Sequence, residues 1–159
     1  MRLFTIGYGA WPPAKRMETM VARLREAGVP LLIDTRHSPC ASQLDPEHTY
    51  GPRDWHLQTG VQGIAARLAD HGIDYLWLVE LGNPQKTDPK MTVLREQLKN
   101  GDNRWPVNRG LALLKDIIGQ PAACALLCAC ADYRRCHRTL IAQSLSDRFP
   151  ELSIDIQHL

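Results

Sequence analysis

Short apolar segments of strand character alternate along this chain with longer segments of helical periodicity. The strand segments cover residues 3–7, 30–35, 75–81, 123–130 and, more weakly, 152–156. Helices are predicted over residues 13–27, 61–69, 88–99, 107–118 and 138–149. Because a parallel strand has to be reached by a crossover, alternating strands and helices favour a parallel sheet. The sequence therefore predicts a three-layer α/β fold with a mainly parallel sheet of about five strands.

The length of the chain predicts one domain over residues 1–159, because 159 residues can bury a core without disulfides or metals. No apolar stretch approaches the ~20 residues of a membrane span, and no secretory leader is visible. We therefore expect a cytoplasmic protein with no membrane partner. None of these features predicts an oligomeric state.

Four of the five cysteines lie within thirteen residues, at Cys124, Cys128, Cys130 and Cys136. An odd number of cysteines in a reducing compartment indicates thiols, metal ligands or redox centres rather than structural disulfides. Cys130 ends the fourth predicted strand, and Cys136 comes just before the helix that follows it. Ligands of parallel sheets bind beyond the carboxyl ends of strands, so we expect a functional site there.

Cys136 is the preferred nucleophile or redox thiol of this predicted site. A helix amino terminus and nearby cations favour a thiolate, and the helical stripe of Cys136 turns its sulfur toward the sheet. Cys128 and Cys130 are then supporting or resolving thiols, and Cys130 is the expected disulfide partner of Cys136. His137 would carry protons. The alternative is a buried, inert group of cysteines that only packs the strand against the helix.

Polar residues at the ends of other strands are candidates for the same site. Asp34 and Glu80 would orient the bound molecule or act as a base, although each could instead form a structural ion pair. Arg36 and Arg138 would hold an anion. The remaining candidates for ligand binding, which could equally be turn or cap residues, are Thr5, Tyr8 and Ser38.

Two further interpretations use the same cysteines. Zinc or iron could be bound by Cys128, Cys130, Cys136 and His137. An extended strand, however, separates the α-carbons of residues 128 and 130 by ~6.6 Å, which suits tetrahedral ligation badly, so we predict no metal and no cofactor. Cys128 and Arg134 also match the spacing of cysteine-dependent phosphatases, but the loop between them lacks glycine.

The charge pattern favours a local anion site over a nucleic-acid surface. The net charge is only +2, and Arg134, Arg135 and Arg138 cluster beside the cysteines. The predicted partner is an anionic small molecule, either a nucleotide or a phosphate-like compound. Nucleic acid remains an alternative partner, because the long predicted loop at residues 38–60 contains His48, Trp55 and other residues able to stack on bases.

Four segments together resemble the bacterial and archaeal family called domain of unknown function 488. The segments are residues 5–8 (Thr-Ile-Gly-Tyr), residues 32–39 (Leu-Ile-Asp-Thr-Arg-His-Ser-Pro), residues 75–82 (Tyr-Leu-Trp-Leu-Val-Glu-Leu-Gly) and residues 127–129 with 136–142 (Leu-Cys-Ala and Cys-His-Arg-Thr-Leu-Ile-Ala). Their order and spacing extend the resemblance over nearly the whole chain.

The resemblance implies an α/β sandwich in which the Asp-x-Arg-x-Ser-Pro, Glu-Leu-Gly and Cys-His-Arg segments gather at one edge of the sheet. It implies no particular reaction. The chain differs from the family pattern at Asn83, at Cys130 and at residues 41–42, where family members often carry Gly, an acidic residue and Ser-Arg. The thiol of Cys130 is therefore interpreted as a specialisation of this protein.

Overall fold

The structure, a computed structural model, describes residues 1–37, 63–83, 88–119 and 121–159. The candidate Ser38, the predicted loop at 38–60 and the first two residues of the second predicted helix lie outside the described residues. The strands are β1 (Arg2–Gly7), β2 (Leu31–Asp34), β3 (Asp74–Trp77), β4 (Ala123–Cys128) and β5 (Asp155–His158). The helices are α1 (Arg16–Glu26), α2 (Ile64–Ala69), α3 (Thr92–Asn100), α4 (Pro106–Ile118) and α5 (His137–Arg148).

The five strands form one all-parallel sheet in the order β3-β2-β4-β1-β5. This arrangement confirms the predicted α/β fold. Strand β4 is central, with Cys128 opposite Gly7 of β1 and Leu127 opposite Asp34 of β2. The carboxyl ends of these three strands therefore meet at one edge of the sheet.

Two hydrophobic cores lie on the two faces of the sheet. On one face, side chains such as Leu126 pack with α3, α4 and α5, and on the other, side chains such as Phe4 pack with α1 and α2. The alternation of side chains along each strand divides them between these cores. The result is the predicted arrangement of three layers.

The structure corrects the ends of three predicted strands. Strand β3 stops at Trp77, and Val79–Leu81 form a 3-10 turn closed by a hydrogen bond from Leu81 N to Leu78 O. Strand β4 stops at Cys128 because its neighbour β1 ends opposite that residue, at Gly7. The last strand begins at Asp155, since the 3-10 turn Pro150–Leu152 occupies the start of the predicted segment.

Helix boundaries shift for local reasons. Helix α3 starts at Thr92 rather than residue 88, because the Asp88 carboxylate accepts hydrogen bonds from the backbone N–H groups of Lys90 and Thr92. Helix α5 begins one residue earlier than expected, and Cys136 is its N-cap. Within the described ranges, no helix is both long and apolar enough to cross a membrane.

Candidate functional site

The edge of the sheet where β1, β2 and β4 end is closely packed around the segment that carries the cysteines. A Cβ atom placed on Gly7 would lie 2.2 Å from the carbonyl oxygen of Cys130, and one on Gly9 would lie 2.5 Å from that of Ala129. Real Cβ atoms do not approach carbonyl oxygens so closely. The two glycines therefore allow the chain after β1 to lie directly against the backbone of the cysteine loop.

Three thiols converge at this edge. The Sγ atoms of Cys128, Cys130 and Cys136 all lie within 4.8 Å of one another, and those of Cys128 and Cys130 are 3.6 Å apart. Cys128 and Cys136 are buried, whereas Cys130 is exposed. Strand β4 ends at Cys128 and the chain bends at Ala129, so residues 128 and 130 are not two positions of one extended strand as the sequence predicted. None of the described cysteines forms a disulfide.

His137 lies between these thiols and the end of β2. Its Nδ1 atom is 3.7 Å from Cys128 Sγ and 3.9 Å from Cys136 Sγ. Its Nε2 atom is 2.9 Å from the carbonyl oxygen of Thr35 and 3.1 Å from the hydroxyl of the same residue. A carbonyl oxygen can only accept, so Nε2 carries the proton and the lone pair of Nδ1 faces the two sulfurs. Burial lowers the pKa of His137 and keeps the imidazole neutral.

The thiols differ in the ease with which they ionise. Hydrogen bonding with Cys130 and Cys136 lowers the pKa of Cys128 well below its usual range, and the charge of Arg138 adds to this effect. Hydrogen bonding with Cys128 and Cys130, followed by burial, raises the pKa of Cys136. These directions are opposite to the expectation that Cys136 is the low-pKa thiol. The sulfur most disposed to carry negative charge is that of Cys128.

Arg138 places a buried positive charge beside the thiols. The residue is 2% exposed, its Nη1 donates to the carbonyl oxygen of Cys130 at 2.9 Å, and its buried Nε has no hydrogen-bond partner. Among the described residues, no carboxylate lies within ion-pair distance of this guanidinium. A buried cation without a carboxylate partner is costly, so this edge of the sheet favours negative charge.

Asp34 and Arg36, which the sequence places in the site, are occupied mainly with each other. Arg36 Nε donates to both carboxylate oxygens of Asp34 at 2.9 Å, and the hydroxyl of Tyr75 donates to Oδ2 at 2.6 Å. The Nη1 of Arg36 also donates to the hydroxyl of Tyr8 at 3.3 Å. The structural ion pair, which was the alternative interpretation of these residues, is therefore present, and Tyr8 belongs to it.

Two other sequence candidates lie apart from the thiols. Glu80 belongs to the 3-10 turn after β3 and packs toward α4. A Cβ atom added to Gly110 of that helix would lie 2.9 Å from the Cβ of Glu80. Thr5 is buried in β1, and its hydroxyl lies 2.7 Å from Nδ1 of His158 on β5. Neither residue lines the cavity described next.

A cavity of about 170 Å³ opens at the thiol cluster. Its lining combines thiol, imidazole, guanidinium and amide groups and consists of Arg36, His37, Asn83, Cys128, Ala129, Cys130 and His137. Larger depressions of about 420 and 510 Å³ lie beside α5 and α1, but buried polar side chains line neither of them. Of these three cavities among the described residues, the one at the sheet edge combines space with buried polar groups.

Thr35 and Tyr75 were not among the candidate site residues. A signal existed for Thr35, since it is polar and adjoins Arg36 directly after an apolar strand. Tyr75 shows no comparable signal, because its hydroxyl reaches Asp34 only through the pairing of β3 with β2. Asn83, which the sequence marks as a departure from the family pattern, lies in the wall of the cavity.

The comparisons with known proteins give one match. The family model described as Domain of unknown function DUF488 matches residues 52–145, a span that contains β3, β4, the cysteine loop and the start of α5. No curated protein and no solved structure matches the chain.

Proposed function

The chain belongs to the family described as Domain of unknown function DUF488, and we propose that its function is to bind a small anionic molecule at a thiol-dependent site on the carboxyl edge of the sheet. The observation that carries this proposal is the buried guanidinium of Arg138, which lies beside the thiol-lined cavity without a carboxylate partner among the described residues. The thiols require reducing conditions, so the proposal includes the predicted cytoplasmic location.

The distribution of charge around the cavity supports an anionic ligand. The charge of Arg36 is balanced by Asp34, whereas Arg138, which donates to the carbonyl oxygen of Cys130 behind the cavity wall, supplies a surplus positive charge. The amino terminus of α5 adds the positive end of a helix dipole on the same side. An anion in the cavity therefore gains a favourable field that a neutral molecule does not.

The size of the cavity limits what it can enclose. About 170 Å³ is below the roughly 300–1,000 Å³ of sites that bury a drug-sized ligand, and it equals the volume of about six water molecules. Such a space fits a group of the size of a phosphate, sulfate or carboxylate. We therefore propose that the anionic group enters the cavity and that any larger remainder of the ligand lies outside it.

The proposal is tested with inorganic phosphate as the probe. Isothermal titration calorimetry of the reduced protein should give saturable binding that is at least about tenfold weaker in Arg138→Gln, because the anion loses a buried positive charge close to the cavity, and a tenfold loss corresponds to only ~1.4 kcal/mol. Arg134→Gln, which removes an exposed arginine of the same loop, should bind phosphate as the unchanged protein does. Equal binding by the two variants would overturn the role of Arg138.

Dependence on thiols is tested separately. Cys128→Ser should change the affinity for phosphate, because the thiol that ionises most readily lines the cavity, whereas Cys124→Ser, which changes a buried cysteine of the same strand, should not. Near-ultraviolet circular dichroism verifies that each variant keeps its tertiary packing. If Cys128→Ser folds and binds phosphate with unchanged affinity, the site is a binding module that does not use its thiols, and the proposed thiol dependence is wrong.

A further inference from the structure

We propose that Cys128, Cys130, Cys136 and His137 together bind a thiophilic divalent metal ion of the zinc class. This inference adds a metal ion to the proposed function. It rests on that function only for the statement that the metal ion lies next to a cavity that binds an anion. The sequence predicted no metal because an extended strand would hold residues 128 and 130 apart, and the end of β4 at Cys128 removes that reason.

The distances between the ligand atoms suit tetrahedral coordination. Zinc–sulfur bonds of about 2.3 Å and zinc–nitrogen bonds of about 2.0 Å place two sulfurs about 3.8 Å apart and a sulfur and a nitrogen about 3.5 Å apart. The observed distances are 3.6 Å between Cys128 Sγ and Cys130 Sγ, and 3.7 and 3.9 Å from His137 Nδ1 to the sulfurs of Cys128 and Cys136. An ion would fit with shifts of a few tenths of an ångström along these edges. The three sulfurs lie within 4.8 Å of one another, but His137 is not part of that group, so its imidazole has to move closer to Cys130 for all four ligands to bind one ion.

The orientation of His137 is a second observation that points to a metal ligand. Metal-binding histidines usually donate their other ring N–H to a carbonyl or carboxylate, which fixes the tautomer and aims the lone pair at the ion. Here Nε2 donates to the carbonyl oxygen of Thr35 at 2.9 Å, so Nδ1 directs its lone pair toward the thiols. Any buried histidine needs an acceptor for its ring N–H, but here the remaining lone pair also faces two sulfurs, as a metal ligand requires.

The charge of Arg138 balances that of the proposed metal centre. Three thiolates and one divalent cation carry a net charge of −1, which is costly at a site with two buried thiols. The buried guanidinium, bonded to the carbonyl oxygen of Cys130, supplies the compensating +1. The metal centre and Arg138 thus neutralise each other, and this pairing explains why the arginine is buried without a carboxylate partner among the described residues.

The donor set also selects the type of ion. Three sulfurs and one imidazole nitrogen suit zinc or iron(II), whereas magnesium and calcium prefer oxygen ligands. Cys130 is the exposed member of the cluster and provides the side from which an ion can enter. Since Cys128, Cys130 and His137 also line the cavity, an ion bound there would lie at the cavity wall.

Cobalt(II) is the first probe, because tetrahedral thiolate coordination gives intense visible and near-ultraviolet absorption. Titration of reduced, chelator-treated, full-length protein should reach an end point at one cobalt per chain, and zinc should displace the cobalt. Cys130→Ser and His137→Gln should each weaken zinc binding at least about tenfold in competition with a chromophoric chelator. Cys124→Ser is the matched control and should keep both the spectrum and the affinity.

Two results would overturn the metal site. One is the absence of a thiolate–cobalt spectrum in the unchanged protein. The other is equal zinc affinity in Cys130→Ser and in the Cys124→Ser control. The side chain altered in Cys130→Ser is exposed, so this substitution should not prevent folding.

Phosphate titrations of the metal-free and the zinc-loaded protein separate this inference from the proposed function. Phosphate binding by a protein that binds no zinc would leave the proposed function standing and remove the metal. Stoichiometric zinc binding by a protein that binds no phosphate would leave the metal site standing and remove the proposed function. Phosphate binding that is weaker in the zinc-loaded protein supports both, because the net charge of −1 of the loaded centre then offsets the charge of Arg138 that attracts the anion.

Discussion

The guanidinium of Arg36 is hydrogen-bonded to the carboxylate of Asp34, two residues earlier in the chain, and Arg36 Nε lies 2.9 Å from both carboxylate oxygens. Both side chains are buried. Burial by itself lowers the pKa of Arg36, but the charge and hydrogen bonds of Asp34 outweigh this effect and raise it. Tyr8 from the end of β1 and Tyr75 from β3 extend the pair, so it joins three strands at the edge of the sheet.

Removing one member of this pair should therefore destabilise the fold. We expect Asp34→Asn to lower the free energy of unfolding by about 3–5 kcal/mol, because the charge of Arg36 would stay buried without its carboxylate. Urea denaturation followed by circular dichroism measures the change. Asp74→Asn, an exposed substitution in the neighbouring strand, should change the same quantity by less than about 0.5 kcal/mol. A loss below about 1 kcal/mol in Asp34→Asn would show that the pair is not a structural clamp.

The contact of Gly7 with the cysteine loop leads to a second prediction. In Gly7→Ala the new methyl group would meet a backbone carbonyl oxygen at 2.2 Å and the guanidinium of Arg138 at 2.6 Å. We expect a loss of about 1–3 kcal/mol or more in the free energy of unfolding, together with weaker cobalt binding, because Cys130 has to move away.

Gly119→Ala is the control for this substitution, since the new methyl group would lie at ordinary contact distances of 3.6 and 3.8 Å from two carbonyl oxygens of the preceding helix. Its stability and cobalt spectrum should stay close to those of the unchanged protein. If Gly7→Ala behaves like Gly119→Ala, the close packing of β1 against the loop does not determine the geometry of the site.

Cys124 should make the stability of the protein depend on alkaline pH. Burial raises the pKa of its thiol to about 12, whereas a free cysteine ionises near about 8.5. Between these two pH values the unfolded chain loses the thiol proton and the folded chain keeps it. The free energy of unfolding therefore decreases as the pH rises through this range. Below about pH 8 both states are protonated and Cys124 causes no pH dependence.

The measurement compares urea denaturation of the unchanged protein and Cys124→Ala from pH 7 to pH 10.5. The stability advantage of the unchanged protein should be constant up to about pH 8 and then shrink by up to about 1.4 kcal/mol per pH unit. A difference that stays constant over the whole range would contradict the buried, protonated state of this thiol.

The tautomer of His137 provides a fourth prediction. Because Nε2 donates to the carbonyl oxygen of Thr35, the neutral ring should carry its proton on Nε2 and none on Nδ1. Long-range ¹H–¹⁵N correlation spectra distinguish the two nitrogens, and His137→Gln identifies the signals by their disappearance. Thr35→Val, which removes only the hydroxyl, should leave the tautomer unchanged. Protonation on Nδ1 in the metal-free protein would remove the lone pair that faces the thiols.

The amino-acid sequence was sufficient to predict the class of fold and the end of the sheet that carries polar and thiol groups. Strand and helix periodicities depend on local residue order, so the alternation over 159 residues was enough to predict a parallel sheet. The same local order put Cys128, Cys136 and His137 around the carboxyl end of β4. Strand ends were predicted less well, because β3 and β4 stop where pairing with a neighbouring strand stops.

Only the tertiary structure decided which of these groups act on one another. Asp34 accepts hydrogen bonds from Arg36 and Tyr75, and Glu80 packs toward α4. The sulfur of Cys130 lies 3.6 Å from that of Cys128. These relationships depend on side chains brought together from different strands and on the turn that follows β4, and neither is encoded by periodicity. The physical reason is that a pattern along the chain determines the face and edge a residue occupies, whereas distance, burial and charge balance arise only when the elements pack.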